Sequence, residues 1–112
     1  SAGDAAGALA HFTKATQIDD TFAKAHFQVG VCWVEADKMA EATASFGRAV
    51  VLKPNFSEAR FNLGAGLLKL ERYRDALEHF EALAVKNPDD IQVARYLQFA
   101  RAKLLEHNNP QP

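Results

Sequence analysis

Asp75 and His79 lie four residues apart, a spacing that brings both side chains onto one face of a helix. A carboxylate beside an imidazole could orient a general base or supply half of a metal site. No second ligand or nucleophile shares that face, and His11, His26 and His107 are dispersed along the chain, so the spacing reads as an ion pair. Cys32, the sole cysteine, excludes an internal disulfide and a cysteine-based zinc cluster. It sits between Val31 and Trp33 with no base at helical spacing, which predicts a buried, inert thiol. Gly64-Ala65-Gly66 opens like a phosphate-binding loop, yet Lys69 stands where the third glycine would fall and no strand precedes it. The residues able to do chemistry do not converge, so no catalytic centre, metal or cofactor is expected.

The stronger signal is a register. Gly30, Ala42, Phe46 and Pro54 return thirty-four residues later as Gly64, Ala76, Phe80 and Pro88, together with Ala25 and Ala59, Phe27 and Phe61, Val51 and Val85. A period of this length marks stacked copies of a small unit that cannot bury its own apolar face alone. Extended backward, Ala8, Ala10 and Phe12 fall on Ala42, Ala44 and Phe46, so residues 3–22 read as the second half of a partial unit. Full units then occupy 23–56 and 57–90. Forward, Leu97 keeps the register while Gln98 and Arg101 replace the glycine and the following apolar residue. Residues 91–106 therefore read as a capping first half, with 107–112 as a flexible tail.

Each unit carries helical spacing. Val29, Gly30, Trp33 and Ala36 form one stripe and Phe27, Val31 and Val34 a second, repeated as Leu63, Gly64, Leu67, Leu70 and Phe61, Ala65, Leu68. The partner segments carry one stripe each, through Met39, Ala42, Phe46 and Ala49, then Tyr73, Ala76, Phe80 and Leu83. Two stripes need two neighbours, one stripe needs one. Pro54 and Pro88 close the second helix of each unit, and Asp37-Lys38 and Glu71-Arg72 mark the bends within pairs. Asn55 with Glu58 three residues on predicts a capping box, and Asp89 and Asp90 place carboxylates at the last helix start. Glycine within a helix costs about 1 kcal/mol relative to alanine, so Gly30 and Gly64 imply a close approach of helices at Ala42 and Ala76.

The conjunction of His26-x-x-Val29-Gly30-x-x-Trp33, Ala42-x-x-x-Phe46 and Pro54 with Arg60-x-x-Leu63-Gly64-x-x-Leu67, Ala76-x-x-x-Phe80 and Pro88 resembles the tetratricopeptide repeat. His26 and Arg60 depart from it, standing where that family usually has a large apolar residue. The resemblance implies an all-α, right-handed solenoid of six helices in antiparallel pairs, whose first helices line a concave groove for a peptide or helix of another protein. Carried over by position, the groove comprises Lys24, Phe27, Val31 and Val34, then Phe61, Asn62, Ala65, Leu68 and Lys69, then Arg95 and Phe99. Some family members clamp a terminal carboxylate with lysine and asparagine on this face, but Phe27 and Val31 occupy two of those places, leaving Asn62 and Arg95.

Bulk properties narrow the partner. A formal charge of -1 opposes a general nucleic-acid or acidic-membrane binder. No apolar run is long enough for a membrane span, and Ser1-Ala2-Gly3-Asp4 does not read as a secretory leader. The cytoplasm is then the default compartment. An alternative to groove binding is self-assembly: Ala5, Ala8, Leu9, Phe12 and Ala15, the apolar face of the half unit, lack their usual partner helix and could join copies of the chain into a homo-oligomer.

Overall fold

The computed structural model describes residues 7–14 and 22–108. Helix α1 occupies residues 7–14, followed by α2 (Ala23–Glu35), α3 (Met39–Leu52), α4 (Ser57–Lys69), α5 (Tyr73–Lys86) and α6 (Ile91–Asn108). No strand occurs among the described residues. From α2 onward each helix packs against the next, and α4 also touches α6, giving an all-α solenoid of helix pairs. The described chain is elongated, with extents of 49 × 31 × 22 Å. Helix α6 continues through Asn108, two residues beyond the expected helix end, and Ala5 and Ala15, on the expected apolar face of the half unit, lie outside the described residues.

Phe46 and Phe80, one repeat apart, are the largest fully buried side chains and form the centres of the two hairpins. Their rings explain the glycines. A β-carbon on Gly30 would fall 2.5 Å from Phe46 Cε1, and one on Gly64 would fall 2.8 Å from Phe80 Cζ. The close approach is therefore between backbone and aromatic ring, with Ala42, Ala49 and Ala76 fully buried beside it. Such packing stabilises each hairpin through apolar area removed from water, which neither helix could bury alone.

The bends within pairs are built alike. Helix α2 ends with Lys38 N–H donating to Trp33 O and Asp37 N–H to Val34 O, and α4 ends with Arg72 N–H donating to Leu67 O and Glu71 N–H to Leu68 O. These are Schellman closures, with Asp37 at φ 60° and Glu71 at φ 61° in the left-handed region. Both satisfy orphan carbonyls at helix ends that would otherwise face the bend.

The helix starts divide. Asp90 accepts from Val93 N–H through Oδ1 at 3.1 Å, as its position predicts. Asn55 does not cap α4: the helix begins one residue later, after Phe56, and no side chain caps it. Phe56 instead packs against Phe27, at 5.1 Å between ring centroids, so burial of an aromatic ring decides the start.

Candidate interaction groove

A cavity of about 260 Å³ lies between α2 and α4. Val31 and Val34 come from α2, Asn62, Ala65 and Lys69 from α4, and Met39 and Phe46 of α3 close it from behind. Residues 31 and 34, like 62, 65 and 69, are three or four apart, so each helix presents a continuous strip to the same space. Gly66 completes the lining, where a β-carbon would collide with Thr43 Oγ1. Thr43 Oγ1 is itself fixed by donating to Met39 O at 2.8 Å, so α3 and α4 approach here on the strength of a missing side chain. Val34 is 42% exposed and Lys69 is exposed, which leaves the mouth with an apolar lip and a cation.

Five of the residues expected to line a groove are thus brought together: Val31, Val34, Asn62, Ala65 and Lys69. Two others are not surface. Phe27 is 7% exposed, with its ring set between Phe46 and Phe56 at 5.7 and 5.1 Å, and Leu68 is 8% exposed within the same core. This corrects the expectation that both offer apolar surface to a guest: the second stripe of the first helices is divided between the core and the cavity. Phe61 is intermediate, half-buried edge-on against Phe80 and Tyr96, and with Asn62 it borders a second depression of about 210 Å³ beside Glu58, Asp90 and Gln92. Arg95, Tyr96 and Phe99 form a third apolar patch on α6, where Lys103 Nζ lies 5.6 Å from the Phe99 ring centroid. Lys24 is exposed at the start of α2 and lines none of these three.

Sequence reasoning missed Met39, Phe46, Gly66 and Tyr96 as lining residues. Met39 and Phe46 had been absorbed by the stripe that pairs helices within a unit. Tyr96 stands at the register position of Asn62 and Gln28, so no apolar repeat announces it.

The residues capable of chemistry are placed elsewhere. Asp75 pairs with Arg72 at 2.7 Å rather than with His79. His79 Nδ1 instead lies 3.0 Å from Arg60 Nη1, which fixes it as the acceptor of a guanidinium N–H, and Arg60 Nη2 donates to Pro54 O at 3.0 Å. Burial, then the Arg60 charge, hold the His79 pKa below its ordinary value against the smaller opposing pull of Glu78 and Asp75. Arg60, an anomaly by sequence, thus ties the turn before α4 to α5. Cys32 is buried, and burial followed by the nearby Glu35 charge raises its thiol pKa, the opposite of an activated nucleophile. No group of three or more potential metal ligands gathers among the described residues, and no described helix is long and apolar enough to cross a membrane. The cavity can therefore bury an apolar side chain and offer polar contacts from Asn62 and Lys69, but it holds no proton-transfer pair.

Stacked helical hairpins with close glycine–phenylalanine contacts and a lined concavity between first helices define a helical-repeat solenoid. Residues 57–90 match the tetratricopeptide repeat family model, and the fold of the chain is that of tetratricopeptide-repeat structures. Among solved structures, MamA 41-end from Desulfovibrio magneticus RS-1 is similar with a TM-score of 0.84 and 24% identity, over 95% of this chain and 60% of that one. YrrB, described as a TPR protein with an unusual peptide-binding site, is similar with a TM-score of 0.82 and 23% identity, over 96% of this chain and 53% of that one. The first TPR of Spaghetti (RPAP3) bound to HSP90 peptide SRMEEVD gives a TM-score of 0.79 and 20% identity, over 91% of this chain and 83% of that one. The chain thus spans about 60% of the length of the MamA structures it matches. No match was found among curated proteins.

Proposed function

We propose that this domain is a non-catalytic interaction module that receives a segment of a partner protein in the concavity between α2 and α4. The observation that carries the proposal is the cavity of about 260 Å³ whose lining is Val31, Val34, Met39, Phe46 and Ala65, with Asn62 and Lys69 as its polar members. A partner side chain of leucine or methionine size buried there would contribute roughly 1.5 to 3 kcal/mol. Asn62 would satisfy the passing backbone and Lys69 would favour an acidic residue beside the anchor. Peptide-bound RPAP3 supports the mode of use at the level of the fold. A grip on a terminal carboxylate like that of some family members is not part of the proposal, because Phe27 is core and Val31 is apolar.

The test is fluorescence anisotropy against a panel of labelled peptides that carry one large apolar residue flanked by acidic ones. Ala65→Arg, which fills the cavity from a half-buried position on α4, is expected to abolish binding while leaving the helical circular dichroism intact. Unchanged binding in a folded Ala65→Arg protein would sink the reading.

Self-assembly through the N-terminal half unit is a second proposal, resting on one observation: Ala8, Leu9 and Phe12 on one face of α1 are only half-buried. Concentration-dependent light scattering that Phe12→Glu abolishes would support it, and a monomer at all concentrations would remove it.

A further inference from the structure

A further depression, of about 290 Å³, lies where the turn before α4 meets the α4–α5 pair, and no reading of the groove depends on it. Pro54, Asn55, Ser57 and Arg60 line it from the turn and the start of α4, and Ala82, Leu83 and Lys86 line it from α5. Two cations face this space and no carboxylate does. Neither Arg60 nor Lys86 forms an ion pair among the described residues; both are held by neutral groups. Lys86 Nζ donates to Asn55 O at 3.2 Å and to Ser57 Oγ at 3.1 Å, and Arg60 donates to Pro54 O and to His79.

These bonds position the charges without neutralising them. A guanidinium has five N–H donors and an ammonium three, so donors of both are left unspent, as is the Ser57 hydroxyl proton, since that oxygen is accepting from Lys86. The fold does not demand this arrangement. At the register positions of Ser57, Arg60 and Lys86 the preceding repeat has Ala23, His26 and Leu52.

We propose that Ser57, Arg60 and Lys86 form a binding site for a phosphate-class oxyanion between α4 and α5, beside the turn that precedes them. Two fixed cations match the charge of about −1.5 to −2 on a phosphate monoester, and three residues on two helices suit tetrahedral acceptors better than one planar carboxylate. Bound there, the anion would bridge α4 and α5 and stiffen their pairing, at a place separate from the concave cavity. The ligand is either free phosphate or a phosphoryl group borne by a partner.

The test is titration of the isotopically labelled chain at pH 7.5, with inorganic phosphate, O-phosphoserine or acetate added against sodium chloride of equal ionic strength and backbone amide shifts as the readout. Saturable shifts confined to residues 54–60 and 82–86 are expected with phosphate and O-phosphoserine. Tighter binding of O-phosphoserine assigns the partner-borne source, equal binding the free one. Lys86→Gln and, as a second variant should the first not fold, Arg60→Gln are each expected to weaken binding by at least about tenfold. The proposal is overturned by shifts no greater than the salt control gives, by acetate binding as tightly as phosphate, or by undiminished binding in a folded variant.

Discussion

The ring of Phe46 occupies the volume that any side chain on Gly30 would need: a β-carbon there would lie within 2.9 Å of three ring atoms, Cε1, Cδ1 and Cζ. The same relation joins Gly64 and Phe80 one repeat later, with the nearest ring atom at 2.8 Å. Helix propensity alone favours alanine by about 1 kcal/mol, yet Phe80 is fully buried among packed neighbours and Phe46, 1% exposed, could shift only toward the cavity that it closes from behind. Gly30→Ala and Gly64→Ala are therefore expected to destabilise by about 1–3 kcal/mol in urea unfolding, through overpacking. Phe46→Leu added to Gly30→Ala should recover part of that loss. Additive losses in the double variant would mean that the ring is not the obstacle.

Asp37 and Glu71 hold the left-handed position of the two Schellman closures, where a side chain is disfavoured and glycine is the common occupant. Aspartate tolerates this region better than glutamate does. Glu71→Gly is accordingly expected to stabilise by about 1 kcal/mol and Asp37→Gly by less, the gain being reduced by the greater freedom of glycine in the unfolded chain. Thermal unfolding of the two variants measures the difference, and a loss at both positions would show that the acidic side chains make contacts outweighing their backbone conformation.

Much of this fold was legible because the features that define it repeat. Phe46, Phe80, Ala42, Ala76 and both glycines sit where a thirty-four-residue register puts them, and each packs in the way its twin does. The site was only partly legible, since helical spacing gives the direction of a side chain and not the depth of what stands in front of it. Phe27 and Val31 share one stripe, yet Phe56, arriving from the next turn, buries the first and leaves the second beside an open cavity. Gly66 was unreadable for a related reason: its need to be small comes from Thr43 on the preceding helix, a partner outside both the stripe and the register. Asn55 has the residue type and spacing of a cap, but the burial of Phe56 moves the helix start past it.

That difference between the two helix starts has a measurable counterpart. Asp90→Ala removes an acceptor from Val93 N–H and a negative charge from the positive end of α6, so it is expected to cost about 1 kcal/mol. Asn55→Ala removes no cap and should change stability by less than about 0.5 kcal/mol. Chemical denaturation of both proteins decides the matter, and equal losses would mean that Asn55 caps α4 in solution.

The Arg60–His79 contact gives the pairing of α4 with α5 a dependence on pH whose sign follows from the geometry. His79 accepts from Arg60, a role open only to the neutral imidazole, and the groups acting on it are burial and Arg60 on one side and Glu78 and Asp75 on the other. Its folded pKa is depressed below the ordinary value of about 6.5 that the unfolded chain retains. In the window between those two values the unfolded state binds more protons, so stability is fully present above about pH 6.5 and is lost as pH falls toward the folded value. Protonation would convert Nδ1 from acceptor to donor facing a guanidinium, which removes the bond and adds repulsion. His79→Gln keeps a side-chain carbonyl able to accept from Arg60 but does not titrate. Its unfolding midpoint is expected to fall less than that of the parent chain between pH 7.5 and 5, and parallel pH profiles for the two proteins would show that His79 does not sense pH through Arg60.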